Sequence, residues 1–430
     1  MGIDLVHERD SFEPNSIDPS CLSCHTAILA QSGSGKSFMV GRLIEELLIK
    51  TKARVVILDP NSDFVRLPQI DAAVWQRPNF QQSFFPGENN EYFQTAWSKV
   101  SINVLSNRNL AHAQPLRINW GGLTDSERAD VMDLNPIGQP ELYWLLVLAG
   151  EVARDRWDNP AESDYDFEFF THVAYEICEF LMGGEAPDDI VQNQFAQGLR
   201  PIGVSLSLRF RALISQLDAF DIWRSVGDND KDIAEILPSH IDNPFATVID
   251  LLSVDSDAER IALATRILAS LWKSARDSYS GALRDLEDPD RRVPTFLVID
   301  EAHNIVPAHR TSPAAERLAN DVIRIAAEGR KFGLFLIVIT QRPRKLEPSI
   351  LSECDALLLM KMTNRGDLEY ASEVFGFLPT DRLGIATELK VGDVLLYGRL
   401  GHNDKISHVA PRRTMQGGKS LDDNFWMNPY

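Results

Sequence analysis

The 430-residue chain has few cysteines, lacks a long apolar run and has fewer basic than acidic side chains. Four cysteines are too few for a disulfide framework in a chain of this length, so they favour a reducing compartment. No apolar run approaches the roughly 18 residues of a membrane span. The first ten residues also lack the basic and then apolar order of a signal peptide. We therefore expect a cytoplasmic protein without a membrane partner.

Acidic residues outnumber basic ones by 62 to 43, which gives a net charge of −19 at pH 7. A broad nucleic-acid-binding surface would carry an excess of Lys and Arg, so the composition argues against one. It leaves open nucleic acid held in a narrow pore, where a few basic residues repeated around a ring would suffice. A hydrophobic content of 44% indicates a folded globular chain rather than a disordered one.

Residues 21–25, Cys-Leu-Ser-Cys-His, match the attachment pattern of c-type haem. No export signal accompanies them, and His25 abuts an apolar strand signal that leaves no room for a haem pocket. A zinc site would need a second ligand pair, and Cys178 and Cys354 are isolated. We expect neither haem nor zinc at this position.

The most informative pattern lies at residues 26–37, where an apolar strand signal runs into a Gly-rich loop and then into a helical pattern. In such a loop the glycines let backbone N–H groups surround phosphates, the lysine adds a positive charge and the serine hydroxyl supplies a Mg²⁺ ligand. We expect a nucleoside triphosphate and Mg²⁺ as cofactors. The predicted nucleotide-binding residues are Gln31, Ser32, Gly33, Ser34, Gly35, Lys36 and Ser37.

A second part of the site is predicted at residues 295–301, where four apolar residues lead into two carboxylates. Continuous apolar runs with polar ends are typical of buried parallel strands, whose carboxyl edge carries the chemistry. We expect Asp300 to hold Mg²⁺ through water beside Ser37. We expect Glu301 to orient or deprotonate the attacking water. The alternative is an ordinary strand that ends in a solvated acidic pair.

A further strand signal, residues 334–340, ends at Gln341. In P-loop ATPases with an extra strand between the phosphate-loop strand and the acidic strand, a polar residue at this position senses the γ-phosphate. Gln341, with Thr340 beside it, is the candidate for that role. The alternative is a surface glutamine at a strand end.

Strand and helix patterns alternate over much of the chain, which predicts an α/β fold with a parallel sheet flanked by helices. Four regions are expected: an N-terminal segment, a discontinuous core, a mainly helical insertion and a C-terminal tail. The aromatic end of the tail suits docking on a neighbouring subunit or a frayed terminus equally well. The expected bounds are 1–25 for the N-terminal segment, 26–68 and 245–410 for the core, 69–244 for the insertion and 411–430 for the tail.

The motifs together resemble the HerA branch of the HerA/FtsK superfamily of ring-forming ATPases. They occur in the family's order and cover the ATPase core from end to end. The chain departs from the family in having only 25 residues before Thr26, where HerA proteins usually carry a small β-barrel. The matching stretches are residues 27–37, 57–64, 299–304, 328–333, 340–343 and 391–398.

The resemblance implies a RecA-like core in a homo-hexameric ring, with ATP and Mg²⁺ at subunit interfaces and DNA in a central channel. Hydrolysis would then drive DNA translocation or unwinding. An arginine from the neighbouring subunit would complete each site, worth roughly 10³–10⁵ in rate. Arg330 is the candidate for it, with Arg342 and Arg324 as alternatives. Arg330 also fits a solvated cation at a helix end.

Shortened HerA-like ATPases resemble components of anti-phage defence systems, so the resemblance also implies a nuclease or a sirtuin-like NADase as partner. Two other functions compete with a translocase. Residues 300–303 spell the Asp-Glu-Ala-His box of superfamily 2 helicases, but no second RecA-like domain is evident. The other function is an ATP-regulated hexameric scaffold that switches an effector without moving DNA. A translocase would need basic pore residues, for which Arg200, Arg209 and Arg211 are candidates, although their stretch also fits a plain amphipathic helix.

Overall fold

The computed structural model describes residues 2–11, 13–77, 84–158, 165–223, 232–237, 244–284, 292–310, 312–401 and 405–417. Within these ranges twelve strands form one sheet in the order β2-β1-β12-β11-β10-β3-β9-β8-β4-β7-β5-β6. The strands are β1 (Ile3–Glu8), β2 (Pro14–Ile17), β3 (His25–Leu29), β4 (Arg54–Asp59), β5 (Ser101–Leu105), β6 (Ala113–Gln114), β7 (Phe245–Asp250), β8 (Thr295–Ile299), β9 (Leu334–Thr340), β10 (Cys354–Met360), β11 (Asp393–Gly398) and β12 (Ser407–Val409).

Helices cover both faces of this sheet. They are α1 (Lys36–Lys50), α2 (Asn90–Trp97), α3 (Asp125–Val131), α4 (Pro140–Arg156), α5 (Phe167–Leu181), α6 (Asp188–Val191), α7 (Gln194–Leu199), α8 (Gly203–Asp218), α9 (Ile233–Ile236), α10 (Asp257–Arg284), α11 (Ala302–Ile305), α12 (Pro313–Phe332), α13 (Pro348–Leu351), α14 (Arg365–Val374) and α15 (Leu383–Glu388).

The strands from β10 to β6 in this order are all parallel to one another. Their central members are apolar at successive positions because both faces are buried. Ile28 and Val298 pack on the side of α1, whereas Leu29 and Ile299 pack on the side of α10 and α12. The predicted α/β fold with a parallel sheet flanked by helices is confirmed.

The sheet extends beyond the core expected from the sequence. Strands β5 and β6 lie inside the segment 69–244 that was expected to be mainly helical, and they form one edge of the sheet. At the other edge β1 and β2 come from the N-terminal segment, and β1 pairs antiparallel with β12. Apart from α2, the helices of the insertion that the structure describes follow residue 114, where Trp120 packs against Phe167 and Phe170 of α5.

The segment after β12 differs from the extended tail expected from residue 411. Arg412 and Arg413 are each 1% exposed. The Arg413 guanidinium lies 3.0 Å from a Glu45 carboxylate oxygen and 2.6 Å from one of Glu46, both on α1. A third oxygen, from Glu88, lies 2.8 Å away. These ion pairs bind the segment to α1, while residues 418–430, including the aromatic end, lie outside the described residues.

The described part of the chain contains no helix that is both long enough and apolar enough to cross a bilayer.

Replacing Arg413 by alanine should lower the free energy of unfolding by about 3–5 kcal/mol, because it leaves buried glutamates without their counter-charge. Denaturant unfolding followed by circular dichroism measures this change. Lys405→Ala is the matched control, since the Lys405–Glu8 pair is solvent-exposed and should contribute little. A destabilisation by Arg413→Ala no larger than that of the control would contradict the structural role of the buried pairs.

Candidate active site

The phosphate loop lies between β3 and α1. Gly33 and Gly35 have φ angles of 76° and 93°, in the left-handed region that glycine adopts without strain. A Cβ atom at Gly33 would meet no heavy atom within 4 Å, so that side of the loop is open. The Ser34 hydroxyl donates to the Gln31 carbonyl at 2.7 Å. The Ser34 carbonyl accepts from the backbone N–H of Gly392 at 3.0 Å. The loop is therefore held in shape by contacts outside its open face.

The Gln31 side chain is engaged in holding the loop. Its carbonyl oxygen accepts hydrogen bonds from the backbone N–H and the hydroxyl of Thr363, at 3.0 and 2.9 Å. Gln31 therefore ties the phosphate loop to the segment that follows β10. The role of Gln31 in nucleotide binding remains a prediction. Its backbone groups, rather than its side-chain amide, would contact the nucleotide.

Lys36 brings the two sequence motifs together. Its ammonium lies 2.9 Å from an Asp300 carboxylate oxygen and also contacts Glu301. Burial alone would lower the pKa of Lys36, but the two carboxylates outweigh it and raise that pKa. Glu301 has a φ of 43°, in the left-handed region that is uncommon for a residue with a side chain. Such an outlier at the end of β8 supports a functional position.

A third carboxylate, for which the sequence alone indicated no metal-binding role, lies next to Ser37. The Ser37 hydroxyl donates to a carboxylate oxygen of Asp63. Asp59, fully buried at the end of β4, accepts from the backbone N–H of Asp63 at 3.0 Å and of Phe64 at 2.8 Å. Burial raises the pKa of Asp59 to about 7. Asp59 therefore holds the turn that presents Asp63 to Ser37.

The signal that could have identified these carboxylates is their position in the sheet. Leu58 of β4 is paired with Ile299 of β8, so Asp59 and Asp300 lie at the same carboxyl edge. Acidic residues at the ends of adjacent parallel strands meet there.

His303 and Thr340 line the side of Glu301 away from Lys36. The His303 Nδ1 atom lies 3.1 Å from the Thr340 hydroxyl and 3.4 Å from a Glu301 carboxylate oxygen. Burial, with smaller contributions from Arg342, Lys36 and Lys345, lowers the pKa of His303 to about 4, so the ring is neutral at pH 7. Thr340 is paired with Leu29 of β3, which places the following Gln341 beside the phosphate loop.

The candidate arginines lie in three different places. Arg330, near the end of α12, forms an ion pair with Asp355 and precedes β9, so it lies at the sheet edge opposite the phosphate loop. Arg324 pairs with Asp321 at 2.8 Å. Only Arg342 lies at the same edge as Lys36, directly after Gln341. Arg330 and Arg324 are thus not brought to the site of their own chain.

The residues present fit a Mg²⁺ ion held together with nucleotide phosphates. Mg²⁺ prefers oxygen ligands and usually binds through one or two carboxylates plus phosphates and water. Ser37, Asp300 and Asp63 offer a hydroxyl and two carboxylates at one edge of the sheet. Within the described ranges, no three His, Cys, Asp or Glu side chains form a metal site by themselves.

Comparison with known protein families identifies the family to which the chain belongs. A family model described as the central domain of helicase HerA matches residues 9–271. The chain belongs to this family. A second model, that of the AAA ATPases associated with various cellular activities, matches residues 247–362 and so includes the strand that carries Asp300 and Glu301. The predicted HerA-type family and the P-loop ATPase class are confirmed.

Among curated relatives, a Methanocaldococcus jannaschii protein named "Probable DNA double-strand break repair helicase HerA" is 28% identical, over 98% of this chain and 78% of its own length. The DNA double-strand break repair helicase HerA of Pyrococcus furiosus is 22% identical over 88% of this chain and 63% of its own length. The match to another M. jannaschii helicase covers 65% of that protein. The chain thus spans a little under two thirds of several relatives that it matches.

Solved structures agree on the fold. VirB4 of Thermoanaerobacter pseudethanolicus superposes with a TM-score of 0.55 at 16% identity, covering 95% of this chain and 96% of that one. The plasmid coupling protein TrwB, solved with ADP and Mg²⁺, gives 0.53 at 14% identity, covering 94% and 88%. At these identities the likeness concerns the RecA-like fold alone.

Glu301→Gln should keep ATP binding and slow hydrolysis by about 10²–10⁴-fold, because the amide cannot accept a proton from water. Turnover and nucleotide affinity measured on the same preparation test this. Glu151→Gln, at an exposed position on α4, is the matched control. Lys36→Ala should abolish binding or turnover. Retained turnover in Glu301→Gln would contradict the role of Glu301 and make another carboxylate, first of all Asp63, the candidate for hydrolysis.

Proposed function

We propose that the chain is a Mg²⁺-dependent ATPase that works in a homo-hexameric ring and uses hydrolysis to translocate or unwind DNA. The observation that carries the proposal is the junction of Lys36 with Asp300 and Glu301 beside an open phosphate loop. The family match and the relatives named as DNA repair helicases support the choice of DNA as the track.

Each residue at the phosphate loop would have its own role in ATP binding and hydrolysis. Backbone N–H groups from Gln31 to Ser37 would surround the phosphates. The Lys36 ammonium would leave the carboxylates of Asp300 and Glu301 and bind the β- and γ-phosphates instead. Ser37 and Asp300 would hold Mg²⁺, which neutralises the charge on the transferred phosphoryl group. Glu301 would orient the attacking water, and neutral His303 would keep that carboxylate in place. Gln341 would contact the γ-phosphate.

In the proposed ring, an arginine of the neighbouring subunit would supply the remaining positive charge at each ATP site. Arg330 lies far from the phosphate loop of its own subunit, which suits a residue that acts on the nucleotide of a neighbour. We propose further that the ring works in the cytoplasm with a nuclease or NADase effector, as part of anti-phage defence. All four cysteines are free thiols, which suits a reducing compartment.

A second candidate function is an ATP-regulated hexameric scaffold that assembles and switches an effector without translocating DNA. The net charge of −19 favours it, since the chain as a whole repels a polyanion. The two candidates differ in their response to DNA.

Hydrolysis of ATP with and without double-stranded DNA distinguishes them, on protein whose mass in solution is measured in the same buffer. The translocase predicts a hexamer whose turnover rises several-fold with DNA. A ring whose turnover ignores DNA would contradict translocation and favour the scaffold.

Arg330 is tested by mixing subunits. Arg330→Ala and Glu301→Gln subunits should each be inactive alone and partly restore hydrolysis when mixed, because some interfaces then combine an intact Glu301 with an intact Arg330. Arg324→Ala mixed in the same way is the control from the same helix. Absence of rescue at every mixing ratio would count against Arg330 as the residue acting in trans.

A further inference from the structure

Exposed cations without an acidic partner gather at the carboxyl edge of β9 and β10. In the part of the chain that the structure describes, none of them has a carboxylate oxygen within ion-pair distance, although the protein is strongly acidic. We name this group the basic edge. It consists of Arg342, Arg344 and Lys345, which follow β9, and Arg365, which begins α14.

Two of the pore candidates predicted from the sequence are held by neighbouring side chains. Arg211, one of the pore candidates from the sequence, is paired with Glu179, and Arg200 lies over the Phe180 ring at 4.3 Å. Glu347, two residues after Lys345, contacts Arg310 instead. The cations of the basic edge therefore have no ion-pair partner among the described residues, although Glu347 and Asp367 lie close to them in sequence.

Folded backbone holds the basic edge in place. Residues 343–345 form a 3₁₀ turn that packs against α14. The Lys345 carbonyl accepts from Ala308 N at 2.8 Å. A Cβ atom at Gly366 would lie 2.9 Å from an Arg344 guanidinium nitrogen, so the missing side chain lets Arg344 lie close to α14. The cations thus sit on a platform of folded backbone.

Short contacts connect this platform to the hydrolytic carboxylate. The backbone N–H of Arg342 donates to the Thr340 hydroxyl at 3.0 Å. The same hydroxyl lies 3.1 Å from His303 Nδ1, which is 3.4 Å from Glu301. Glu301 Oε2 accepts no hydrogen bond from the described residues, so a shift of the basic edge would reach this carboxylate through the Thr340 hydroxyl and then through its contact with the His303 ring.

We propose that the basic edge binds the phosphate backbone of DNA and that Thr340 and His303 couple this binding to Glu301. The inference rests on the proposed function and names its DNA-contacting surface. Several exposed cations at one edge of the sheet suit a repeating anion, because each neutralised phosphate releases counterions. The nucleotide of a neighbouring subunit would require only one arginine. The surface replaces Arg200, Arg209 and Arg211 as the site of DNA contact.

The test combines Arg344→Gln, Lys345→Gln and Arg365→Gln in one chain and measures affinity for double-stranded DNA at several salt concentrations. Affinity should fall at least tenfold, and the dependence of log affinity on log salt should become shallower by about 0.9 for each phosphate that is no longer neutralised. Arg209→Gln is the control, since Arg209 is exposed on α8 and should behave as the wild type. The thermal unfolding midpoint and the mass in solution show that the variants remain folded and assembled.

The outcomes separate the inference from the function on which it rests. If the wild type binds DNA and the triple variant binds it equally well, the basic edge is not the contact surface, whereas the translocase stands. If the triple variant no longer assembles while the DNA affinity of its subunits persists, the cations belong to a subunit interface and the inference falls. If the wild type binds no DNA, the proposed translocase falls together with the inference.

The coupling has a test of its own. Thr340→Val removes the hydroxyl without changing the shape of the side chain, so it should lower the ratio of DNA-stimulated to basal hydrolysis several-fold while DNA affinity stays the same. Thr247→Val, at an equally buried position on β7 whose hydroxyl has no hydrogen-bond partner, is the matched control. An unchanged ratio in Thr340→Val would overturn the coupling.

Discussion

The contact of Lys36 with Asp300 and Glu301 is the interaction on which the rest of the structure depends. It joins the start of α1 to the end of β8 across a wide separation in sequence, and it buries three charges at one edge of the sheet. Charges in such a place persist only when each is paired or hydrogen-bonded. Under the proposed function, nucleotide phosphates would compete with the two carboxylates for the lysine, since they offer negative charge at the same position.

Much of the core could be predicted because its signals are local. The apolar runs of β3, β8 and β9 are continuous, as strands buried on both faces require, and the polar residues that follow them mark the carboxyl edge. The phosphate loop is defined by residue types at fixed spacing, so Lys36 and Ser37 could be placed without a structure. Asp300 and Glu301 could be placed from the end of a single strand.

The remaining features depend on contacts between distant segments. Strand β5 alternates between polar and apolar residues and β6 has only two residues, so neither carries a strong pattern. Arg412 and Arg413 resemble part of a polar tail in the sequence because their partners lie on α1, some 370 residues away. Likewise, nothing in the sequence around Arg211 shows its pairing with Glu179. The basic edge becomes visible only once paired and unpaired cations are distinguished.

A structure of the protein with Mg²⁺ and a non-hydrolysable ATP analogue is the most decisive test of the proposed site. We expect the Lys36 ammonium to lie on the β- and γ-phosphates and to have left Glu301, and Ser37 to coordinate the metal in place of its hydrogen bond to Asp63. A nucleotide bound elsewhere, with Lys36 still on both carboxylates, would contradict the proposed site.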